Sequence, residues 1–288
     1  MRLTLPQKAQ AAFSVFHYKD EIGDHLYRRY WQNRKVMSVI VEGVTVNFDT
    51  SDFLSNTLFY QNDTPGAYEP AVSQLLGRLI KKSKIYADIG ANIGYFTVLP
   101  AVINPECGIY SFEVDPSLKP IVLRNMRQNG VSENQVTIIN AAVGDQGGEI
   151  RFHHHPGGFL AMQAREKLDP YDLKFSAPMV RLDDYFAEQG VTPDLLKIDV
   201  DGAELHVLRG MTSILETKPD MLLEVHFTVL PKYGATMQEV YDFLRPFGYS
   251  YYLVEDFRNT AGVLKLIKNF DDLKSKSGDM LFLTHASQ

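Results

Sequence analysis

At 288 residues, 45% hydrophobic and 22% charged, the chain is long enough for one large core or for a main domain with a small appendage, and its composition is that of an ordinary globular protein. Its net charge of −6 excludes a surface built as a whole to coat nucleic acid. The single cysteine, Cys107, excludes an internal disulfide and a cysteine-based zinc site, so nothing calls for an oxidising compartment.

Met1-Arg2-Leu3-Thr4-Leu5-Pro6 lacks the continuous apolar run of a secretory signal, and no stretch of eighteen apolar residues predicts a membrane span. The cytoplasm is the expected location. Gln7 to about Lys35 reads as mostly helical. Within it, Tyr27-Arg28-Arg29-Tyr30-Trp31 reads as a helix with aromatics inward and arginines outward, in preference to a nucleic-acid or glycan contact. Met37 to Asp49 alternates apolar and polar residues around Glu42-Gly43, which predicts a β-hairpin turning at Gly43. Residues 1–65 are thus expected to form an N-terminal helical and hairpin cap, the candidate surface for homo-oligomer formation. Asn62-Asp63-Thr64-Pro65-Gly66 would join it to a domain spanning 66–288.

From Glu69 onward helices and strands alternate. Pro70 to Lys82 is an amphipathic helix. Strands are expected at Lys84–Ile89, Gly108–Phe112, Val136–Asn140, Leu195–Asp199, Met221–Val225, Tyr249–Val254 and Met280–Thr284. Strands spaced by helices predict an α/β fold with a mostly parallel sheet, and the last strand is placed antiparallel beside Tyr249–Val254. His153-His154-His155 is not expected to bind a metal, because strand alternation points His153 and His155 away from His154. It reads as an exposed β segment leading into a turn at Pro156-Gly157-Gly158, with Phe159 to Gln163 lining an acceptor cleft.

Ala87-Asp88-Ile89-Gly90-Ala91-Asn92-Ile93-Gly94-Tyr95-Phe96 ends the first strong strand and opens a helix. Its glycines let the backbone turn tightly and approach a ligand. In open α/β sheets ligands bind beyond the carboxyl ends of the strands. The Gly-x-x-x-Gly spacing, preceded by Asp88, departs from the Gly-x-Gly-x-x-Gly loop that cradles a pyrophosphate. About twenty residues on, the offset of a ribose-binding acid, Tyr110-Ser111-Phe112-Glu113-Val114-Asp115-Pro116 puts Glu113 at the end of the second strand. A carboxylate there can accept both ribose hydroxyls. Ile139-Asn140-Ala141-Ala142-Val143-Gly144 follows the third strand with small residues that leave room for a flat base. A glycine pair alone is as often a plain turn, and Glu113 alone a solvated strand end. Their order and spacing together point to a nucleoside site.

Further motifs are Tyr68-Glu69-Pro70, Asn140-Ala141-Ala142-Val143-Gly144-Asp145, Arg181-Leu182-Asp183-Asp184-Tyr185, Leu208-Arg209-Gly210 and Leu223-Glu224-Val225-His226. The most specific is Leu196-Lys197-Ile198-Asp199-Val200-Asp201-Gly202-Ala203-Glu204. With the segments above, these residues resemble the FkbM-type methyltransferases, S-adenosylmethionine-dependent enzymes many of which methylate hydroxyl oxygens. The resemblance covers roughly residues 68 to 227, with a weaker echo at Asp279-Met280-Leu281-Phe282. Asp201 stands where the family usually has Glu. Residues 1 to 60 and the segment after Arg258 match no motif.

The resemblance implies a Rossmann-like class I methyltransferase fold with S-adenosylmethionine as cofactor. That ligand has no phosphate, and a wide turn beside a carboxylate suits its amino-acid end. Its expected contacts are Glu69, Asp88, Gly90, Ala91, Asn92, Gly94, Tyr95, Phe96, Glu113, Val114, Asp115, Asn140, Ala141, Ala142 and Asp199. The expected reaction is O-methylation of a hydroxyl on a small molecule, a sugar or natural product, with no nucleic acid as partner. Positioning supplies about 7–11 kcal/mol of barrier reduction in such a displacement. The acceptor proton must also leave, to a base worth about 10²–10⁴-fold or with the help of a divalent ion.

Asp199 at the end of the fourth strand, and Glu224 and His226 at the end of the fifth, are the candidate catalytic residues. Two arrangements stay open. In one, Asp199 and Glu224 hold Mg2+, with His226 as base or third ligand. In the other, Asp199, Asp201 and Glu204 hold loop amides and Lys197, while His226 acts alone; a purely structural His226 also stays open. Lys197 reads as the partner of a carboxylate. Two other functions also stay open: a methyltransferase-like module that binds the cofactor or a partner without turnover and, more weakly, an NAD-dependent oxidoreductase.

Overall fold

In the computed structural model, the described residues are 36–51, 55, 67–154, 160–162, 173–258, 262–273 and 279–285. The helix expected over Gln7–Lys35, the joint at Asn62–Gly66 and the turn at Pro156–Gly158 lie outside them, as do Phe159 and Gln163.

The alternation after Met37 does form a hairpin. β1 (Val36–Val41) pairs antiparallel with β2 (Val44–Asp49) across Glu42-Gly43. Both turn residues have positive φ, 51° and 80°, the backbone that matches the twist of tight hairpins. Met37, Val39, Val41, Val46 and Phe48 form its buried face. They join one continuous core with α1 (Pro70–Ile80) and with helices α2 (Tyr95–Ile103) and α3 (Lys119–Gln128). Phe48 stacks on Tyr95 with ring centroids 4.8 Å apart. The Asn47 and Asp49 amides donate to Asn129 Oδ1 and Asn125 Oδ1, both at 2.8 Å, which fixes the hairpin to α3.

Eight strands form the main sheet: β3 (Ile85–Ile89), β4 (Gly108–Phe112), β5 (Val136–Ile139), β10 (Leu195–Ile198), β11 (Asp220–Val225), β12 (Ser250–Glu255), β13 (Val263–Ile267) and β14 (Asp279–Thr284). Their spatial order is β13-β12-β14-β11-β10-β3-β4-β5. The strands from β11 to β5 pair in parallel. β14 returns antiparallel between β11 and β12, beside Tyr249–Val254 as the sequence suggested. This is the Rossmann-like class I methyltransferase arrangement: a mostly parallel sheet, an antiparallel last strand and helices on both faces. α1, α2, α3 and the hairpin cover one face. The other is covered by α4 (Leu182–Gln189), α5 (Glu204–Arg209), α6 (Thr212–Glu216) and α7 (Met237–Leu244).

Two features go beyond the sequence reading. β13 adds a second antiparallel strand at the sheet edge, where Val263 and Leu266 stay exposed, so no alternating pattern marks it. A separate four-stranded sheet also forms from β6 (Ala142–Val143), β7 (Gly148–His154), β8 (Leu160–Met162) and β9 (Leu173–Val180), in the order β6-β9-β7-β8. β7 carries His153 and His154 as the expected β segment, paired antiparallel to β9 throughout.

Candidate active site

A cavity of about 630 Å³ opens beyond the carboxyl ends of β3, β4, β10 and β11, where this architecture places ligands. Ile150, Phe152 and Met179 of the small sheet supply an apolar wall.

The loop after β3 is held by its neighbours. The Gly90 and Ala91 amides both donate to the Phe112 carbonyl, at 2.9 and 3.0 Å. Gly90 has φ 83°, and a Cβ there would collide with the Asp199 carbonyl oxygen. Gly94 has φ 80° and precedes α2, and a Cβ there would lie 2.8 Å from Val122 of α3. Close approach of the Asp199 backbone and of α3 requires glycine at both positions. Gly90 still faces the cavity, whereas Gly94 is behind it.

Besides Asp115, three buried carboxyls sit in or against this half. Glu113 accepts from the Asn92 amide on Oε2 and the Asp115 amide on Oε1, each at 2.8 Å. Burial pushes its carboxyl up to about 7 despite those bonds. Asp88 is fully buried, and burial raises it to about 6 against the pull of Lys197. Its Oδ2 accepts from the Thr97 hydroxyl at 2.6 Å, and its Oδ1 has no partner. Glu69, at the N-cap of α1 with a left-handed backbone (φ 42°), is 1% exposed. Neither of its oxygens makes a hydrogen bond of normal geometry. Burial lifts it to about 7, with Lys197 opposing. Glu69 and Asn140 do not reach the cavity wall; Asn140 donates to the Glu113 carbonyl at 3.2 Å. The remaining expected contacts, Ala91, Asn92, Tyr95, Phe96, Val114, Asp115, Ala141 and Ala142, all line it.

The other half gathers the expected catalytic residues. Lys197, 2% exposed, donates to Asp199 Oδ2 at 2.9 Å and lies 4.6 Å from the centre of the Phe96 ring. Burial works against the Lys197 charge, but Asp199, Glu69 and Asp88 outweigh it and hold the ammonium above its ordinary range. Asp199 is half-buried, and despite the cost of that burial Lys197 keeps it below the usual carboxylate range. His226 Nδ1 lies 2.8 Å from Glu204 Oε1, which also accepts the Gly202 amide at 2.9 Å. An ionised carboxylate can only accept, so Nδ1 carries the hydrogen. Nε2 then faces the cavity, 3.4 Å from Asp201 Oδ1, 3.7 Å from Glu224 Oε1 and 4.0 Å from Asp199 Oδ1. Burial opposes charge on His226, but Glu204, Asp199 and Glu224 prevail and raise it to about 9. Burial, then Asp199 and Glu69, lift Glu224 to about 8.

Asp199, Glu224 and His226 each offer a ligand atom within 4.8 Å of the others, close enough to share a cation. Their chemistry does not fit magnesium. Mg2+ demands oxygen ligands in near-octahedral array, whereas one donor here is an imidazole nitrogen and Lys197 already lies on Asp199.

The sequence missed several residues that line this end of the cavity. His206 bridges Asp145 Oδ2, 2.9 Å from Nδ1, and the Tyr233 carbonyl, 3.1 Å from Nε2. Tyr68 and Arg258 also line it. Asp145 and Tyr68 lay inside recognisable motifs; His206, Tyr233 and Arg258 carried no such signal.

Residues 88–251 match the model of the methyltransferase FkbM domain. The hexuronic acid methyltransferase AglP of Haloferax volcanii is 25% identical over 166 residues, 57% of this chain and 65% of that protein. Methyltransferase sdnD of Sordaria araneosa is 28% identical over 153 residues, 43% of this chain and 59% of that one. The 31-O-demethyl-FK506 methyltransferase FkbM of Streptomyces tacrolimicus is 26% identical over 162 residues, 46% and 61% of the two chains. The chain thus spans less than two thirds of the length of these relatives. With more than half its residues matched to the domain, and with the sheet order and strand-end site described above, the chain belongs to the FkbM methyltransferase family.

Proposed function

We propose that the protein transfers a methyl group from S-adenosylmethionine to a hydroxyl oxygen of a small molecule, a sugar or natural product, with His226 as general base. The observation that carries this reading is the His226 imidazole, fixed through Nδ1 by buried Glu204 and open to the cavity through Nε2. The name of the 31-O-demethyl-FK506 relative supports an oxygen acceptor, and that of the hexuronic acid relative supports a sugar.

The residues present fit the cofactor. Asp88 Oδ1 is buried without a hydrogen-bond partner, a costly state that a nearby cationic ligand relieves. Glu113 would hold the ribose, and Val114, Ala141 and Ala142 the adenine; Asp88 would hold the amino-acid end, with Glu69 behind it. When bound, adenosylmethionine supplies a methyl group on a cationic sulfur.

His226 holds the acceptor proton at Nε2, and Glu204 stabilises the resulting imidazolium through Nδ1–H. Asp199 keeps Lys197 beside Phe96, and Glu224 faces the imidazole edge. With a further cation among these carboxylates, the imidazolium is disfavoured and His226 is neutral at lower pH than in the free protein. No step is derived through a metal.

The test is incubation with adenosylmethionine and a panel of sugar and natural-product hydroxyls, followed by mass analysis of the products. Transfer to oxygen, lost in His226→Ala at unchanged S-adenosylhomocysteine affinity, is expected. Transfer to nitrogen or carbon, or full activity without His226, contradicts the reading.

A further inference from the structure

Among the described residues, seven carboxyl groups line the cavity, against Lys197, Arg258 and the imidazoles of His206 and His226. Lys197 is buried and committed to Asp199. Arg258 differs: its side chain is 62% exposed, and its ion pair with Glu224 Oε1 spans 3.8 Å, beyond a hydrogen bond.

Its position is nonetheless built. Arg258 follows β12, and the preceding Phe257 carbonyl accepts from the Ala71 amide of α1 at 3.3 Å. The Phe257 ring packs on the core, and the guanidinium lies over it, 4.9 Å from the ring centre. Glu224 Oε1 is 3.8 Å from Arg258 Nη2 and 3.7 Å from His226 Nε2, so one small molecule can span the base and the guanidinium. Lys197 is taken up by Asp199 and His226 Nδ1 by Glu204, whereas the Arg258 guanidinium has no hydrogen-bonded carboxylate among the described residues. The planar guanidinium fork matches the paired oxygens of a carboxylate or phosphate.

We propose that Arg258 recognises the acceptor, and that the acceptor carries an anionic oxygen group, carboxylate or phosphate, near the hydroxyl presented to His226. This rests on the methyl-transfer reading above and narrows its substrate class to acidic hydroxyl compounds. Arg258 thereby sets specificity, while His226 handles the proton.

The experiment loads the full chain with S-adenosylhomocysteine and titrates it with D-glucuronate, D-glucose 6-phosphate and D-glucose, hexoses that differ at C6. The wild type is expected to bind at least one of the two anions tenfold or more tightly than glucose, and the preferred anion identifies the group. Arg258→Ala should erase that preference with adenosylhomocysteine affinity intact, and Arg258→Lys should restore part of it. Equal affinity for the three sugars, no binding of either anion, or a preference that survives in Arg258→Ala overturns the proposal. Failure of the wild type to bind adenosylhomocysteine is a separate result and contradicts the methyl-transfer reading itself.

Discussion

The two halves of the cavity use carboxylates in opposite ways. Beyond β3 and β4, Glu113 and Asp88 are engaged by the chain's own donors: the amides of Asn92 and Asp115 for one, the Thr97 hydroxyl for the other. Those bonds shape a loop before any ligand arrives. Beyond β10 and β11, Asp199, Asp201 and Glu224 crowd one imidazole edge, and Lys197 and Arg258 offset their charge. One half is preorganised by hydrogen bonds and suits binding. The other is a balance of charges and suits moving a proton.

Breaking the second half should give the largest effect. His226→Ala is expected to lower kcat by about 10²–10⁴-fold, the usual worth of a positioned base. Adenosylhomocysteine affinity measured alongside should stay unchanged; a parallel loss there would place His226 in the binding half. Glu204→Gln should cost roughly tenfold in kcat, about 1.4 kcal/mol of lost orientation, because the amide no longer stabilises the imidazolium.

In the first half, Glu113→Ala should weaken adenosylhomocysteine binding by about tenfold or more, since a hydrogen bond to a charged group is worth about 1.5–3 kcal/mol. Wild-type affinity in that variant would remove Glu113 from the ribose.

The pH response sharpens the contrast. Because kcat/KM reports ionisations of the free enzyme, it should rise with pH towards about 9, as His226 loses its proton. Stability should move the other way. Glu69, Asp88, Glu113 and Glu224 all bind protons more tightly folded than unfolded, so their contributions are full in acid and lost as pH rises through about 7, 6, 7 and 8. The contribution of His226, full below about 6.5, is lost through about 9. The thermal midpoint of the ligand-free protein should therefore fall between pH 6 and pH 9, and adenosylmethionine should flatten that slope. A midpoint that rises with pH would contradict this charge balance. The smallest expected effect is that of EDTA, which should leave turnover unchanged.

Much of this frame was readable from residues. Each parallel strand announced itself as a short apolar run, and the hairpin by its alternation about Gly43. The convergence of Asp199, Glu224 and His226 followed from neighbouring strand ends, which strand order brings together. The small sheet did not announce itself: β6 has two residues, and β9 pairs with β7 from far along the chain, so no local period marks them. β13 is an edge strand in which only Ile267 is buried, so it shows no alternation. Tyr233 and Arg258 reach the cavity from segments outside the motifs, which spacing alone cannot register, and His206 sits between two motifs without belonging to either. The glycines were visible, but their cause, the approach of Asp199 and Val122, exists only in three dimensions.

The most direct test of the central claim is a calorimetric titration of the purified chain with S-adenosylmethionine, S-adenosylhomocysteine and NAD. Saturable binding of both adenosyl ligands, and none of NAD, is the predicted result. Binding of NAD instead, or of none of the three, would contradict the assignment of this cavity to adenosylmethionine.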